Sequence, residues 1–203
     1  HDLVCKIADI VVVGGVRRSA LISLSDFSDD LMRSAKSGTW WTEHPHRALA
    51  NISYVGDAQP PIGLFMKEWL SLYESRSGER GIFSRLAAKN RCEEIGRRDG
   101  DQEFGTNPCS EIVLRPRQFC NLTEVVIRPG DTEETLKEKI ELATILGTWQ
   151  STLTNFRYLP SAWKRNCEEE RLLGVSMTGI YDNPLTYTRG PQLEALLTSL
   201  REI

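Results

Sequence analysis

Apolar positions along this chain recur with two periods, helical and strand-like, and the two alternate from end to end. After the break at Pro60-Pro61, the residues Leu64, Phe65, Trp69, Leu72 and Tyr73 form a helical stripe. The clearest helix runs from Asp131 to Thr154, with Thr132 as its cap and Leu136, Ile140, Ala143, Leu146 and Gly147 on one face. Residues 2–13 fit a helix through Leu3, Ile7, Ile10 and Val11, with Gly14-Gly15 as its stop. Further helices are expected from Asp26 or Ser28 to Lys36, over Phe83 to Ile95, from a Ser161 cap to Arg171, and over 192–201. Strand patterns occupy Ala20–Leu24, Asn51–Val55, Ile112–Leu114, Phe119–Ile127 and Leu172–Thr178. Gly38 to Pro45, with its two tryptophans, and Gly96 to Gly105 read as loops. Alternating helices and strands predict an α/β class. No repeat, low-complexity segment or internal linker interrupts it, so residues 1–203 read as a single domain, or a piece of one.

Composition narrows the functional classes. Hydrophobic residues make up 40% of the 203 and charged residues 26%, ordinary for a soluble globular protein. The longest apolar run, Ile10 to Val13, falls far short of the roughly 20 residues needed to span a bilayer, and no signal peptide opens the chain. A net charge of -3 gives no basic field for a nucleic-acid polymer. Local clusters at Arg17-Arg18, Arg97-Arg98 and Arg115 to Arg117 suit a phosphorylated small molecule, or simply solvent. The five cysteines are odd in number and contain no Cys-x-x-Cys pair, which argues against a zinc site or a disulfide framework and for a reducing cytoplasm. His1 at the start, and a helical pattern without a stop at Ile203, suggest a chain truncated at both ends.

The segment richest in chemistry is Thr106-Asn107-Pro108-Cys109-Ser110-Glu111-Ile112. Pro108 fixes its own φ and should set Cys109 on a stiff turn. With an extended backbone after Cys109, residues 109 and 111 would share one side, gathering an amide, a thiol and a carboxylate. Cys120 follows in the strand-like Phe119-Cys120-Asn121-Leu122. On spacing alone, three readings stay open. The cysteines can be structural, with Asn107 and Glu111 serving a turn. Cys109 can be a hydrolytic nucleophile, which would need a histidine as base, and the histidines are His1, His44 and His46. Or the gathered amide, thiol and carboxylate carry chemistry of another kind.

Asn107 to Ile112 is similar to the active-site loop of ribonucleotide reductases, and Phe119 to Val126 to their second redox-cysteine segment. Gly14-Gly15-Val16-Arg17-Arg18-Ser19-Ala20 resembles the family's specificity loop. Ser77 to Phe83 and Glu168 to Ser176 resemble segments of its adenosylcobalamin-dependent members, and all these matches keep the family's order.

The resemblance implies part of a ten-stranded α/β barrel, with Cys109 on a finger loop inside it. Cys109 would be the thiyl radical that abstracts hydrogen from C3′ of a ribonucleotide. Glu111 would be the base on the 3′-hydroxyl, and Asn107 would bind the substrate hydroxyls. Cys120 would be one of two reducing thiols. Its usual partner lies upstream of the specificity loop, and Cys5 is a weak substitute. Cys92 and Cys167 read as structural. Gly14, Gly15, Arg17 and Arg18 would contact a deoxynucleotide effector. The resemblance further implies adenosylcobalamin as cofactor and a thioredoxin-like or other external dithiol as reductant. The same core occurs in reductases that use a separate radical-generating subunit, and a catalytically inactive nucleotide-binding module would keep the fold. The substrate phosphate loop and C-terminal reducing cysteines are expected beyond Ile203, so the 203 residues alone should not turn over. At Asn51-Ile52-Ser53 the family pattern leads one to expect an asparagine where Ile52 stands.

Overall fold

A computed structural model describes residues 1–13, 16–17 and 20–203, with backbone alone at Val12, Val13, Val16 and Arg17. The chain divides into two compact units, His1–Pro116 and Arg117–Ile203. Among the described residues the strands form four separate hydrogen-bonded sheets, two of them parallel, so the class is mixed α/β. No helix of the described residues is long and apolar enough to cross a membrane.

The first unit opens with helix α1 (Asp2–Asp9) and the short antiparallel pair β1 (Val12–Val13) and β2 (Val16–Arg17). The helix expected to reach residue 13 therefore stops four residues early. Its end tightens through bonds from Ile10 N to Ile7 O and from Val11 N to Ala8 O, and the β-branched residues that follow favour extended backbone. Strand β3 (Leu21–Ser25) leads to α2 (Asp30–Ser34). The cap of α2 is Asp29, which accepts from Met32 N at 2.9 Å, while Asp26 accepts from the backbone and hydroxyl of Ser28 in a turn of its own. The expected loop at 38–45 holds a helical turn, α3 (Trp40–Glu43), followed by the 3-10 turn Pro45–Leu49.

Strand β4 (Ala50–Gly56) lies between β3 and β5 (Gly81–Ser84), parallel to both, with Leu21 opposite Ala50 and Ser53 opposite Gly81. Helix α4 (Ile62–Ser75) provides the crossover from β4 to β5. Ser84 caps α5 (Arg85–Ile95), and Gly96 ends it in the left-handed conformation. The unit closes with a short hairpin, β6 (Gly105–Thr106) and β7 (Val113–Leu114).

The second unit is a parallel pair, β8 (Asn121–Val126) and β9 (Leu173–Thr178), crossed by α6 (Glu133–Ser151) and α7 (Ser161–Glu170). The capping box predicted at Thr132 is present. Leu136, Ile140 and Ala143 of α6 pack with Val125, Ile127, Leu196 and Leu200, while Leu146 points outward. Helix α6 lies so close to the strands that a Cβ on Gly147 would stand 2.1 Å from Leu173. The short α8 (Pro184–Tyr187) and α9 (Pro191–Arg201) follow.

Candidate active site in the Asn107 to Ile112 loop

The chemistry-bearing segment is the loop of the β6–β7 hairpin. Thr106 pairs with Val113 and Gly105 with Leu114, so residues 107–112 project as a closed loop. Pro108 and Cys109 occupy the centre of a turn closed by Ser110 N donating to Asn107 O at 2.9 Å. Proline suits the first central position, because its fixed φ matches the turn before it forms. The stiff turn expected under Cys109 is present.

The neck of the loop is fastened by side chains. Buried Thr106 donates through Oγ1 to Ile112 O at 2.9 Å, and Asn107 Oδ1 accepts from Ile112 N at 3.1 Å. From the neighbouring sheet, Asn51 of β4 donates through Nδ2 to Pro108 O at 3.1 Å. Cys109, Ser110 and Glu111 are exposed at the tip. A thiol and a carboxylate are thus presented outward on a backbone held at three points.

One expectation is corrected. The chain after Cys109 is not extended: Ser110 has φ of 64°, a left-handed conformation that bends the backbone between Cys109 and Glu111. The strand-like alternation that would put residues 109 and 111 on one side does not apply. Asn107 also has a different task at its oxygen, which is engaged inside the loop, leaving its Nδ2 hydrogens as the donors it can offer a ligand.

The histidines have other neighbours. His1 meets Ser23 Oγ at 2.7 Å and Cys5 Sγ at 3.7 Å, and His46 lies beside Asp2. None is hydrogen-bonded to Cys109 among the described residues, which removes the support a cysteine hydrolase would need. Cys5 is fully buried in α1, and burial pushes its thiol above the ordinary range. Cys92 is buried in α5 and Cys167 in α7.

Cys120, in the second unit, is half-buried just before β8. It lines a cleft of about 740 Å³ with Phe119, Ser151, Phe156, Tyr158 and Cys167. Phe119 packs against Trp163 and Phe156 at 4.7 and 5.2 Å between ring centres, and its N–H donates to Cys167 Sγ at 3.3 Å. Of the residues expected to contact an effector, Gly14, Gly15 and Arg18 lie outside the described residues. The backbone of Arg17 pairs with Val12 in the β1–β2 ladder.

Sequence reasoning gave no role to Asn51 and Thr106, which carry no chemistry themselves and show their part only once the hairpin and β4 are in place. Ile52, where an asparagine was expected, is almost fully buried in the central strand, and an apolar side chain is what that position needs.

No family model matches the sequence. Among curated proteins, the chain is 31% identical over 186 residues to the adenosylcobalamin-dependent ribonucleoside-triphosphate reductase of Levilactobacillus brevis. It is 32% identical over 200 residues to the protein of that name from Lactobacillus leichmannii. The chain's relatives are adenosylcobalamin-dependent ribonucleotide reductases. Lacticaseibacillus paracasei supplies a third, 32% identical over 193 residues. The matches cover 89 to 91% of this chain, and the chain spans about a quarter (24%) of each reductase.

Proposed function

We propose that this chain is a segment of the catalytic subunit of an adenosylcobalamin-dependent ribonucleoside-triphosphate reductase, with residues 107–112 as its radical loop. The observation that carries this reading is Cys109, exposed at the tip of a loop fastened by Thr106, Asn107 and Asn51. A radical thiol must be reachable by its oxidant and substrate, yet held still enough to face one C–H bond. When bound, adenosylcobalamin supplies the one-electron oxidation of a thiol. Exposed Cys109 is a residue that can receive it, and no other contact to the cofactor is assigned.

In the reaction the Cys109 thiyl takes a hydrogen atom from C3′ of the ribose and becomes a thiol. Glu111 removes the 3′-hydroxyl proton while the 2′-hydroxyl, protonated, leaves as water. Asn107 donates through Nδ2 to a substrate hydroxyl oxygen. Cys120 and a second thiol supply two electrons and two protons, one proton to the departing water and one to C2′, and become a disulfide; Glu111 returns its proton to the 3′-oxygen, and Cys109 returns its hydrogen atom to C3′. An external dithiol then reduces the disulfide. The strands of both units would belong to the ten-stranded barrel, and residues 14–18 would meet a deoxynucleotide effector.

The test is reduction of ribonucleoside triphosphates by the polypeptide that carries this chain, with adenosylcobalamin and a small dithiol and no second subunit. Turnover that disappears in Cys109→Ala is expected. Turnover only after addition of a metal-bearing subunit would move the protein to the other reductase class. Nucleotide binding without reduction in either assay would favour an inactive binding module.

A further inference from the structure

Two of the three histidines meet an acid in the first unit. His44 directly precedes the 3-10 turn Pro45–Leu49, His46 lies within it, and Asp2 begins α1. Each offers one ligand atom, and these atoms lie within 4.8 Å of one another. Asp2 Oδ1 stands 3.4 Å from His46 Nε2. That is longer than a good N–H···O bond. It matches the edge of a tetrahedron around zinc, where two donors each ~2.0–2.1 Å from the ion stand ~3.3–3.5 Å apart. His46 Nε2 is also buried, and Asp2 beside it makes no hydrogen bond of good geometry to it. Buried polar atoms are almost always partnered, and a cation is one partner such a nitrogen accepts.

We propose that Asp2, His44 and His46 form a site for a divalent transition ion of the zinc type, two imidazoles and one carboxylate, with water completing the coordination. The cysteine pattern argued against a zinc site, but that argument reaches only thiolate ligands, and this site uses none. Arg47 shapes it. Its Nε and an Nη atom donate to the two oxygens of Asp2, each at 2.7 Å, and fix the carboxylate's orientation. Each carboxylate oxygen has two lone pairs, so the arginine leaves one on each for an ion. Its positive charge makes the site weaker than an all-thiolate one. Occupied, the site would staple the first turn of α1 to the turn that leads into β4, the strand from which Asn51 holds Pro108.

The experiment is titration of the metal-free 203-residue chain with Zn²⁺ and with Co²⁺ under reducing conditions. One equivalent should bind, and the Co²⁺ complex should absorb in the visible without a thiolate charge-transfer band. His44→Ala and His46→Ala should each weaken binding by at least about tenfold, while His1→Ala and Cys109→Ser leave it unchanged. Circular dichroism checks that each variant folds. Imidazole NMR of the unaltered chain gives an answer independent of them: the His44 and His46 rings should shift at one equivalent. No binding, binding that survives both histidine variants, or a thiolate band lost in Cys109→Ser would overturn the proposal.

Discussion

In the first unit the most deeply buried large side chains include Arg80 and Glu68; in the second they are Ile127 and Leu136. Glu68 of α4 accepts from Arg80 Nε at 2.6 Å, and from an Arg80 Nη and Arg33 Nε at 2.8 and 2.9 Å. Arg80 continues to Ser25 Oγ and Asp26 O at the end of β3, and its guanidinium lies 5.9 Å from the Tyr54 ring centre in β4. A second buried ion, Lys36, reaches Glu79, whose other oxygen accepts from Ile52 N. The second unit instead packs β8 against α6 and α9 with aliphatic groups. Hydrophobic packing is tolerant, losing stability in proportion to what is removed. A buried ionic network adds little net stability while whole, yet fails badly when one member is lost, because the others are left charged and dry.

The largest expected effect follows from breaking that network. Glu68→Gln should cost the first unit about 3–5 kcal/mol, since buried Arg80 loses its counter-charge and Arg33 is left with exposed Asp30 alone. Urea unfolding, with amide exchange followed over β3, β4 and β5, measures it; a loss under 1 kcal/mol would mean that solvent reaches the triad. The matching cut in the second unit, Leu136→Ala, should cost about 2–5 kcal/mol through lost burial and the cavity left behind, read from exchange over β8 and β9.

The smallest effect, and the sharpest contrast, is in acid. Burial works to raise the Glu68 carboxyl, but hydrogen bonds and charge from Arg80 and Arg33 outweigh it and hold the group below the ordinary range. A carboxyl lowered in the folded state stabilises fully above its unfolded value of about 4.3, and that contribution fades as pH falls below it. Protection of β3–β5 should therefore weaken below about pH 4. The second unit's lowered carboxyls, Asp131 bonded to Lys139 and Glu134 bonded to Thr132, lie outside the aliphatic cluster, so β8 and β9 should weaken less. Equal acid sensitivity in both units would erase the distinction.

The same contrast explains what could be read from sequence. Helix α6, β4 and β9 were legible because long apolar periodicity and a capping threonine agree with their surroundings. Helix α4 was placed correctly, but its interior was not. The stripe through Leu64, Trp69 and Tyr73 is substantially exposed, and the buried residue is Glu68. A pattern of apolar positions cannot announce a buried carboxylate whose partners arrive from α2 and from the residue before β5. The Asn107 to Ile112 segment was legible as a motif. Its left-handed Ser110 was not, because serine carries no strong signal for that conformation. Asp2, His44 and His46 escaped because they are far apart in the chain and share no spacing rule.

The loop that carries Cys109 is held mostly by its own neighbours. Its bonds from Ser110 to Asn107, from Ile112 to Asn107 and from Thr106 to Ile112 join residues at most six apart, with Asn51 as the distant anchor. Its shape is therefore written in a short stretch of sequence and is portable. Moved onto another hairpin of the same register, Thr106 to Val113 should carry its turn and its outward thiol along, whereas the buried charges of the first unit could be moved only as a set.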